Sequence, residues 1–219
     1  MNLPVVSWED PPNSHRHLKV AHGVQILKQQ HPVIRSLRKA GPRPKLYGAR
    51  VWQSTFMLMD HLVGHPLARD PRVMEIGCGW GLLGIFCAMR FAAEVLLTDA
   101  DECVFPYAMI HARLNRVSVR TEHVGFERIT DPGLREHDIL LGADVCFWPE
   151  LGTSLRRLIT RALSLGAKKI MLADPGRVSF MQLANYCQYH YAAKLIPCQV
   201  PTKTKSSGYI LIVEQPAGG

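Results

Sequence analysis

The sequence of 219 residues contains no apolar run of about eighteen residues, the length a membrane-spanning helix requires. Six cysteines (Cys78, Cys87, Cys103, Cys146, Cys187 and Cys198) are scattered singly, without the C-x-x-C spacing of a zinc or redox site, so a bound metal is not expected. They read instead as small buried hydrophobes of a reducing compartment. Residues Met1 to Asp10 carry Trp8, Glu9 and Asp10 where a signal peptide needs a basic and then an apolar stretch, which leads to the expectation of a cytoplasmic protein. Internal repeats and low-complexity tracts are absent. Acidic residues are scarce at one end: residues 1 to 50 hold nine Lys/Arg against only Glu9 and Asp10. The formal charge of +8 therefore belongs mainly to that arm, which either faces water or attracts an acidic partner.

An apolar content of 47% over this length fills one sizeable core. The expected organisation is a basic helical arm over residues 1–50 and a domain over residues 51–219. In the arm, Leu18, Val20, Val24, Ile26, Leu27, Val33, Ile34 and Leu37 recur at loose helical spacing broken by Pro32, which predicts one or two helices across residues 15–39. Val51 to Leu62 predicts another helix, stopped before Gly64 and Pro66.

Beyond Asp70 the rhythm changes to short apolar runs alternating with helical stretches. Strands are predicted at 72–76, 94–98, 118–123, 138–143, 168–173, 192–197 and 209–214. Helices are predicted at 82–91, 102–115, 149–165 and 179–190. Such alternation makes an α/β fold, a Rossmann-like, seven-stranded, mostly parallel sheet with helices on both faces. The link between the last two strands is too short for a helical crossover, so the last strand is expected to run antiparallel.

The strongest chemical signal is the segment Val73-Met-Glu75-Ile-Gly77-Cys-Gly79-Trp80-Gly81-Leu-Leu-Gly84, which leaves a predicted strand and opens a predicted helix. Glycines there let backbone approach a ligand at the carboxyl end of the sheet. Their order is G-x-G-x-G, whereas a dinucleotide site wants G-x-G-x-x-G. An acid two residues before the first glycine, Glu75, disfavours a diphosphate and favours a cationic aminoacyl end. A second acid, Asp99, closes the next strand, where a carboxylate can accept both hydroxyls of a ribose.

These residues make the chain similar, over residues 70 to 214, to the S-adenosylmethionine-dependent class I methyltransferases. Gly48-Ala-Arg-Val-Trp52, Gly142-Ala-Asp144-Val-Cys-Phe147 and Ala173-Asp-Pro-Gly-Arg177 further resemble the lysine methyltransferase branch, the one that includes the electron transfer flavoprotein β-subunit lysine methyltransferase and its bacterial relatives. The resemblance implies S-adenosyl-L-methionine as cofactor. Gly77, Gly79 and Gly81 would pass under its aminoacyl part, Asp99 would hold the ribose, and Gly125 with Phe126 would flank the adenine. Ala143 would approach by backbone, while Trp52 and Trp80 are each either cofactor wall or plain core. Asp144 and Phe147 are the catalytic candidates: the acid would orient the acceptor amine, and Phe147 or Trp148 would wall a lysine stem. Asp174 and Arg177 either pair at the rim or form the turn that Pro175-Gly176 demands.

The expected partner is a protein carrying an acceptor lysine. A small amine or a protein histidine is the alternative acceptor, and a non-catalytic nucleic-acid-binding module the alternative class. The module is disfavoured, since no Lys/Arg-rich stretch is interleaved with stacking aromatics. Amino methylation of bases is disfavoured too, because Asp144-Val-Cys-Phe147 stands where an Asn/Asp-Pro-Pro-aromatic sequence would be needed.

Overall fold

The computed structural model describes residues 17–45, 47, 48, 50–200 and 206–215. Its main sheet has seven strands in the order β5-β4-β3-β6-β7-β9-β8. The strands are β3 (Arg72–Ile76), β4 (Glu94–Asp99), β5 (Arg120–His123), β6 (Ile139–Ala143), β7 (Lys169–Asp174), β8 (Ala193–Val200) and β9 (Ser206–Glu214), as the alternation predicts. β9 runs opposite to the other strands, pairing antiparallel with both β7 and β8.

Side chains alternate across this sheet with the period of two that strands impose. Val73, Val95, Leu97, Leu141 and Met171 join one core layer, which also takes residues of α2 (Gln53–Gly64), α3 (Leu82–Phe91) and α4 (Phe105–Leu114). Met74, Ile76, Leu96, Leu140 and Leu172 join the other, covered by α5 (Asp131–Arg135), α6 (Pro149–Ser164) and α7 (Val178–His190). Strand order reverses about β3, which pairs with β4 on one side and β6 on the other. In open α/β sheets ligands bind at the carboxyl ends beside such a switch point.

The N-terminal arm departs from the expectation of one or two helices. Residues 18–27 form an antiparallel hairpin, β1 (Leu18–Ala21) and β2 (Val24–Leu27), and among the described residues of the arm α1 (Pro32–Ala40) is the only α-helix. The cause is local. His22 and Gly23 both adopt positive φ, 49° and 85°, which gives a two-residue turn whose twist suits a hairpin. The apolar set Val24, Ile26, Leu27, Ile34 and Leu37 is buried in the same core layer as α2 and α3, so residues 18–40 are part of the folded body. The first sixteen residues, including His15, lie outside the described region.

Polar side chains of α4 complete this docking. Asn115, at the end of α4, accepts the Gln25 N–H (2.7 Å) and donates to the Gln25 carbonyl (2.9 Å). His111 is fully buried; its Nδ1 donates to the Tyr107 carbonyl (2.7 Å) and its Nε2 accepts the Leu27 N–H (3.1 Å). Both nitrogens are thereby used by the neutral ring, and burial pushes the imidazole down to about 4 from 6.5. As pH falls, the unfolded chain takes up this proton first. The contribution of His111 is thus complete above pH 6.5 and is lost as pH drops toward 4, by on the order of 3 kcal/mol. Urea titrations of the wild type and His111→Gln at pH 7 and pH 4.5 should show a smaller pH loss in the variant; parallel losses would remove His111 as the cause.

Candidate active site

The turn between β3 and α3 is built from three glycines at positive φ: Gly77 (57°), Gly79 (52°) and Gly81 (67°). Neighbouring strand ends hold it. Cys78 N–H donates to the Thr98 carbonyl (3.0 Å), and Gly79 N–H donates to Asp99 Oδ2 (3.0 Å). The other Asp99 oxygen accepts the Asp101 N–H (2.9 Å). Burial pushes the Asp99 carboxyl up, and these N–H donors oppose the shift. Glu75 points under the start of α3, where Oε2 accepts the Gly84 N–H at 2.7 Å. It is almost fully buried, and burial pushes it up to about 8.

Above the turn lies a cleft of about 240 Å³. It brings together Trp52, Gly77, Gly79, Asp99, Gly125, Phe126, Ala143, Asp144 and Phe147, all named from the sequence. Glu75 and Trp80 border a smaller compartment that shares Trp52, Gly77, Gly79 and Ala143 with the cleft. Gly81 borders neither. It opens α3, and a Cβ there would meet Leu97 Cδ1 at 2.6 Å and Ala108 Cβ at 3.1 Å, so its glycine is needed for helix–strand packing. Gly79 is the opposite case, with nothing within 4 Å of the missing Cβ. The Trp80 indole is 3% exposed, stacks on Tyr107 at 5.4 Å, lies 5.1 Å from His111 and donates to the Gly48 carbonyl (3.0 Å). Most of its surface is therefore core.

Asp144 adopts φ 56° just past β6 and is buried. Its Oδ2 accepts the Ser54 N–H (3.2 Å), and its Oδ1 pairs with Arg177 Nη1 (2.8 Å). The N-terminus of α2 has no side-chain cap from its own N-cap residue, Trp52; Asp144 supplies one from ninety positions away, satisfying an orphan donor there. Arg177 Nη1 also reaches Asp174 Oδ2 (2.6 Å), whose Oδ1 accepts the N–H groups of Gly176 and Arg177. Rim pairing and turn formation, the two readings of Asp174 and Arg177, therefore coexist. Phe147 stacks with Tyr47 (5.2 Å, 12°) and takes the edge of Trp52 (5.2 Å, 71°). Trp52 Nε1 donates to the Tyr47 carbonyl, and Arg50 lies 3.7 Å from the Trp52 ring centre.

The lysine methyltransferase family matches residues 42–179, which span the glycine turn, the cleft and the Asp174–Arg177 turn. The chain belongs to this family. Among curated relatives of this lysine methyltransferase family member, the electron transfer flavoprotein beta subunit lysine methyltransferase of Danio rerio is 24% identical over 173 residues, 77% of this chain and 64% of that protein. EEF1A lysine methyltransferase 3 of Mus musculus is 28% identical over 148 residues, 61% and 60% of the two chains. The chain thus spans less than two thirds of the length of these relatives. In fold it is similar to magnesium protoporphyrin IX methyltransferase of Synechocystis PCC 6803, solved with bound S-adenosylmethionine (TM-score 0.57, 16% identity, 83% and 90% of the chains covered). It is also similar to the METTL16 methyltransferase domain (TM-score 0.58, 16% identity, 94% and 89% covered).

Sequence reasoning missed Tyr47 as a wall of the family member's cleft. The available signal was an aromatic immediately before Gly48, in a segment whose Pro42 and Pro44 mark it as irregular. Asp60-His61 and His65, a spacing that metal sites also use, end α2 with the two imidazoles stacked at 4.3 Å. No group of three metal-ligand side chains forms among the described residues.

The two glycines predict unequal losses on substitution. Gly81→Ala meets both positive φ and contact with Leu97, and should cost about 2–4 kcal/mol in a melting or urea experiment. Gly79→Ala meets only the φ penalty, about 1 kcal/mol. Equal losses would contradict the open space beside Gly79.

Proposed function

We propose that this chain transfers a methyl group from S-adenosyl-L-methionine to a lysine side chain of a protein. The observation that carries the reading is that one cleft joins the Gly79 and Asp99 wall to the Asp144 and aromatic wall. The first wall suits the cofactor. Beside Gly79 there is space that a side chain would fill, the Asp99 carboxylate stands at the strand end as an acceptor for ribose hydroxyls, and Phe126 lines the same cleft as an aromatic neighbour for adenine. The compartment under Glu75 and Thr55 suits the aminoacyl end. Ala143, with no more than a methyl group, leaves its backbone open to approach, and Trp52 borders both spaces.

Bound there, the cofactor supplies a methyl group on a sulfonium, open to displacement by a nucleophile. The chain's own residues then have to bring a neutral amine into line and hold it. Asp144 lies at the carboxyl edge of the sheet, where its carboxylate can accept a hydrogen bond from that amine. Tyr47 and Trp148 stand at the mouth, 51% and 45% exposed, which suits the aliphatic stem of a lysine presented by a large partner. A cytoplasmic acceptor agrees with six cysteines that are all free thiols in the way a reducing compartment keeps them.

Calorimetry should detect binding of S-adenosylmethionine and its demethylated product, and none of NAD. Gly79→Arg should abolish this binding, and Asp99→Ala should weaken it by about 1–3 kcal/mol. Tight binding by a folded Gly79→Arg chain would sink the placement. Incubation with radiolabelled cofactor and an extract of source cells lacking the gene should label a protein at lysine; label confined to small molecules would reject the protein acceptor. Asp144→Asn should cut turnover by roughly 10²–10⁴-fold while sparing cofactor affinity, and an equal loss of affinity would move Asp144 to the cofactor side. Because Glu75 is pushed up to about 8, a cation bound beside it should draw off its proton. Binding at pH 7, measured in two buffers of different ionisation enthalpy, should therefore release more protons from the wild type than from Glu75→Gln.

A further inference from the structure

Arg177 is a cation at the second wall that has no place in the reading above. It occupies the N-cap position of α7 and stands behind the wall formed by Asp144 and Phe147, with its side chain 24% exposed. Its guanidinium pairs with two carboxylates that are themselves 3% and 0% exposed, Asp144 at 2.8 Å and Asp174 at 2.6 Å. The same group lies 4.0 Å from the centre of the Phe147 ring and 5.9 Å from that of Trp52.

A buried carboxylate beside an aromatic face is a binding site for a cation. A lysine reaches the cleft as an ammonium, with an ordinary pKa near 10.4. An uncompensated Asp144 and an open Phe147 face would stabilise that ammonium and hold its proton, which is the opposite of what a nucleophile needs. Here both features already serve Arg177. A second cation at this wall gains little attraction and meets the guanidinium's repulsion, whereas a neutral amine still finds an acceptor oxygen.

We infer that Arg177 is a positioning residue that makes the acceptor subsite select the neutral amine, by occupying the charge of Asp144 and the ring of Phe147. The inference rests on the methyl-transfer reading. In the step concerned, the ammonium gives its proton to solvent water and nitrogen keeps the electron pair, so no further reactant is needed.

Other groups facing this wall do not mimic the effect. Cys146, beside Asp174 and Arg177, is pushed by burial up to about 12 and stays neutral. Arg50 is held on Trp52, and Asp99 and Glu127 border the same cleft. Glu75, pushed up to about 8, titrates in the range of interest, but it is unchanged between wild type and variant and cancels from their comparison.

The test uses n-butylamine as a lysine side-chain probe, followed by tryptophan fluorescence and by NMR in the presence of S-adenosylhomocysteine, from pH 7 to 10. Wild-type affinity should rise about tenfold per pH unit, the increase of the neutral amine below its pKa. Arg177→Gln should bind more tightly than wild type at pH 7 and show a nearly flat profile, and Arg177→Lys should keep the wild-type slope. In turnover of n-butylamine or of the labelled protein, Arg177→Gln should lower both kcat and KM at pH 7 and recover kcat toward pH 10. Thermal melts accompany each variant, and the double variant Asp174→Asn/Arg177→Gln, which removes a charge pair together, replaces Arg177→Gln if that chain fails to fold.

A flat wild-type profile overturns the inference, as does a wild-type slope retained in a folded neutral variant. A lowered melting temperature with an unchanged slope assigns Arg177 to structure alone and overturns it as well. Failure of n-butylamine to bind a chain that binds S-adenosylhomocysteine overturns the placement of the subsite. If the cofactor product itself does not bind, the methyl-transfer reading falls instead, so the two failures are distinguishable.

Discussion

The second wall of the cleft depends on where the Asp144 carboxylate is tied. One oxygen holds the N-terminus of α2 through Ser54, and the other holds Arg177 at the start of α7. Asp144 itself stands at the end of β6, so a single buried group fixes three segments that are distant in sequence. Burying that charge is tolerable because each oxygen has a partner, and removing one partner would leave an uncompensated charge costing several kcal/mol. The positive φ of Asp144 is held by the same contacts, a local strain of the kind that persists where surroundings over-determine the backbone. Trp52 precedes the capped turn of α2, and Phe147 follows Asp144 by three residues. The aromatic wall is thus positioned by a charge network behind it.

The two acids that the sequence singles out at adjacent strand ends have acquired different environments. Asp99 sits at the edge, accepts backbone N–H groups of the glycine turn and its own turn, and borders the cleft. Glu75 is drawn under α3, accepts one N–H and loses most of its solvation. A carboxyl raised to about 8 is largely protonated at neutral pH, so Glu75 repels a diphosphate less than an ionised acid would. What survives is the geometry of the glycine turn, whose three positive-φ residues place open space over Gly79.

Much of the fold was legible because the parallel strands are short apolar runs bounded by turns, and their boundaries fall within a few residues of the pattern. Residues of the cleft were legible for a related reason: they cluster at carboxyl ends of strands, where glycines and acids interrupt apolar runs. The arm departs from its helical expectation because four-residue strands and a helical face share apolar spacing over so short a span, and the His22-Gly23 pair is what distinguishes them. Gly81 is not told apart from Gly77 and Gly79 in the sequence, because a glycine needed for packing and one that borders a cleft look alike within G-x-G-x-G. The contacts of Asp144 with Ser54 and Arg177 could not be read at all, as they join positions 90 and 33 apart.

The N-terminal hairpin bears directly on the cleft. His111 satisfies the backbone of β2, and the Trp80 indole packs against both that imidazole and Tyr107, which lies one turn earlier on α4. Trp80 belongs to the glycine turn, and its Nε1–H reaches the carbonyl of Gly48, a cleft residue one position beyond Tyr47. Contacts therefore run from the hairpin through α4 to the turn and on to the segment that carries Tyr47 and Trp52. Trp80 is conspicuous in the sequence as an aromatic within a cofactor turn, yet its surface is spent joining that turn to the N-terminal segment. The basic arm and the cleft thus share one packed layer, and the hairpin, although far from the cleft in sequence, helps to fix the wall on which an acceptor would rest.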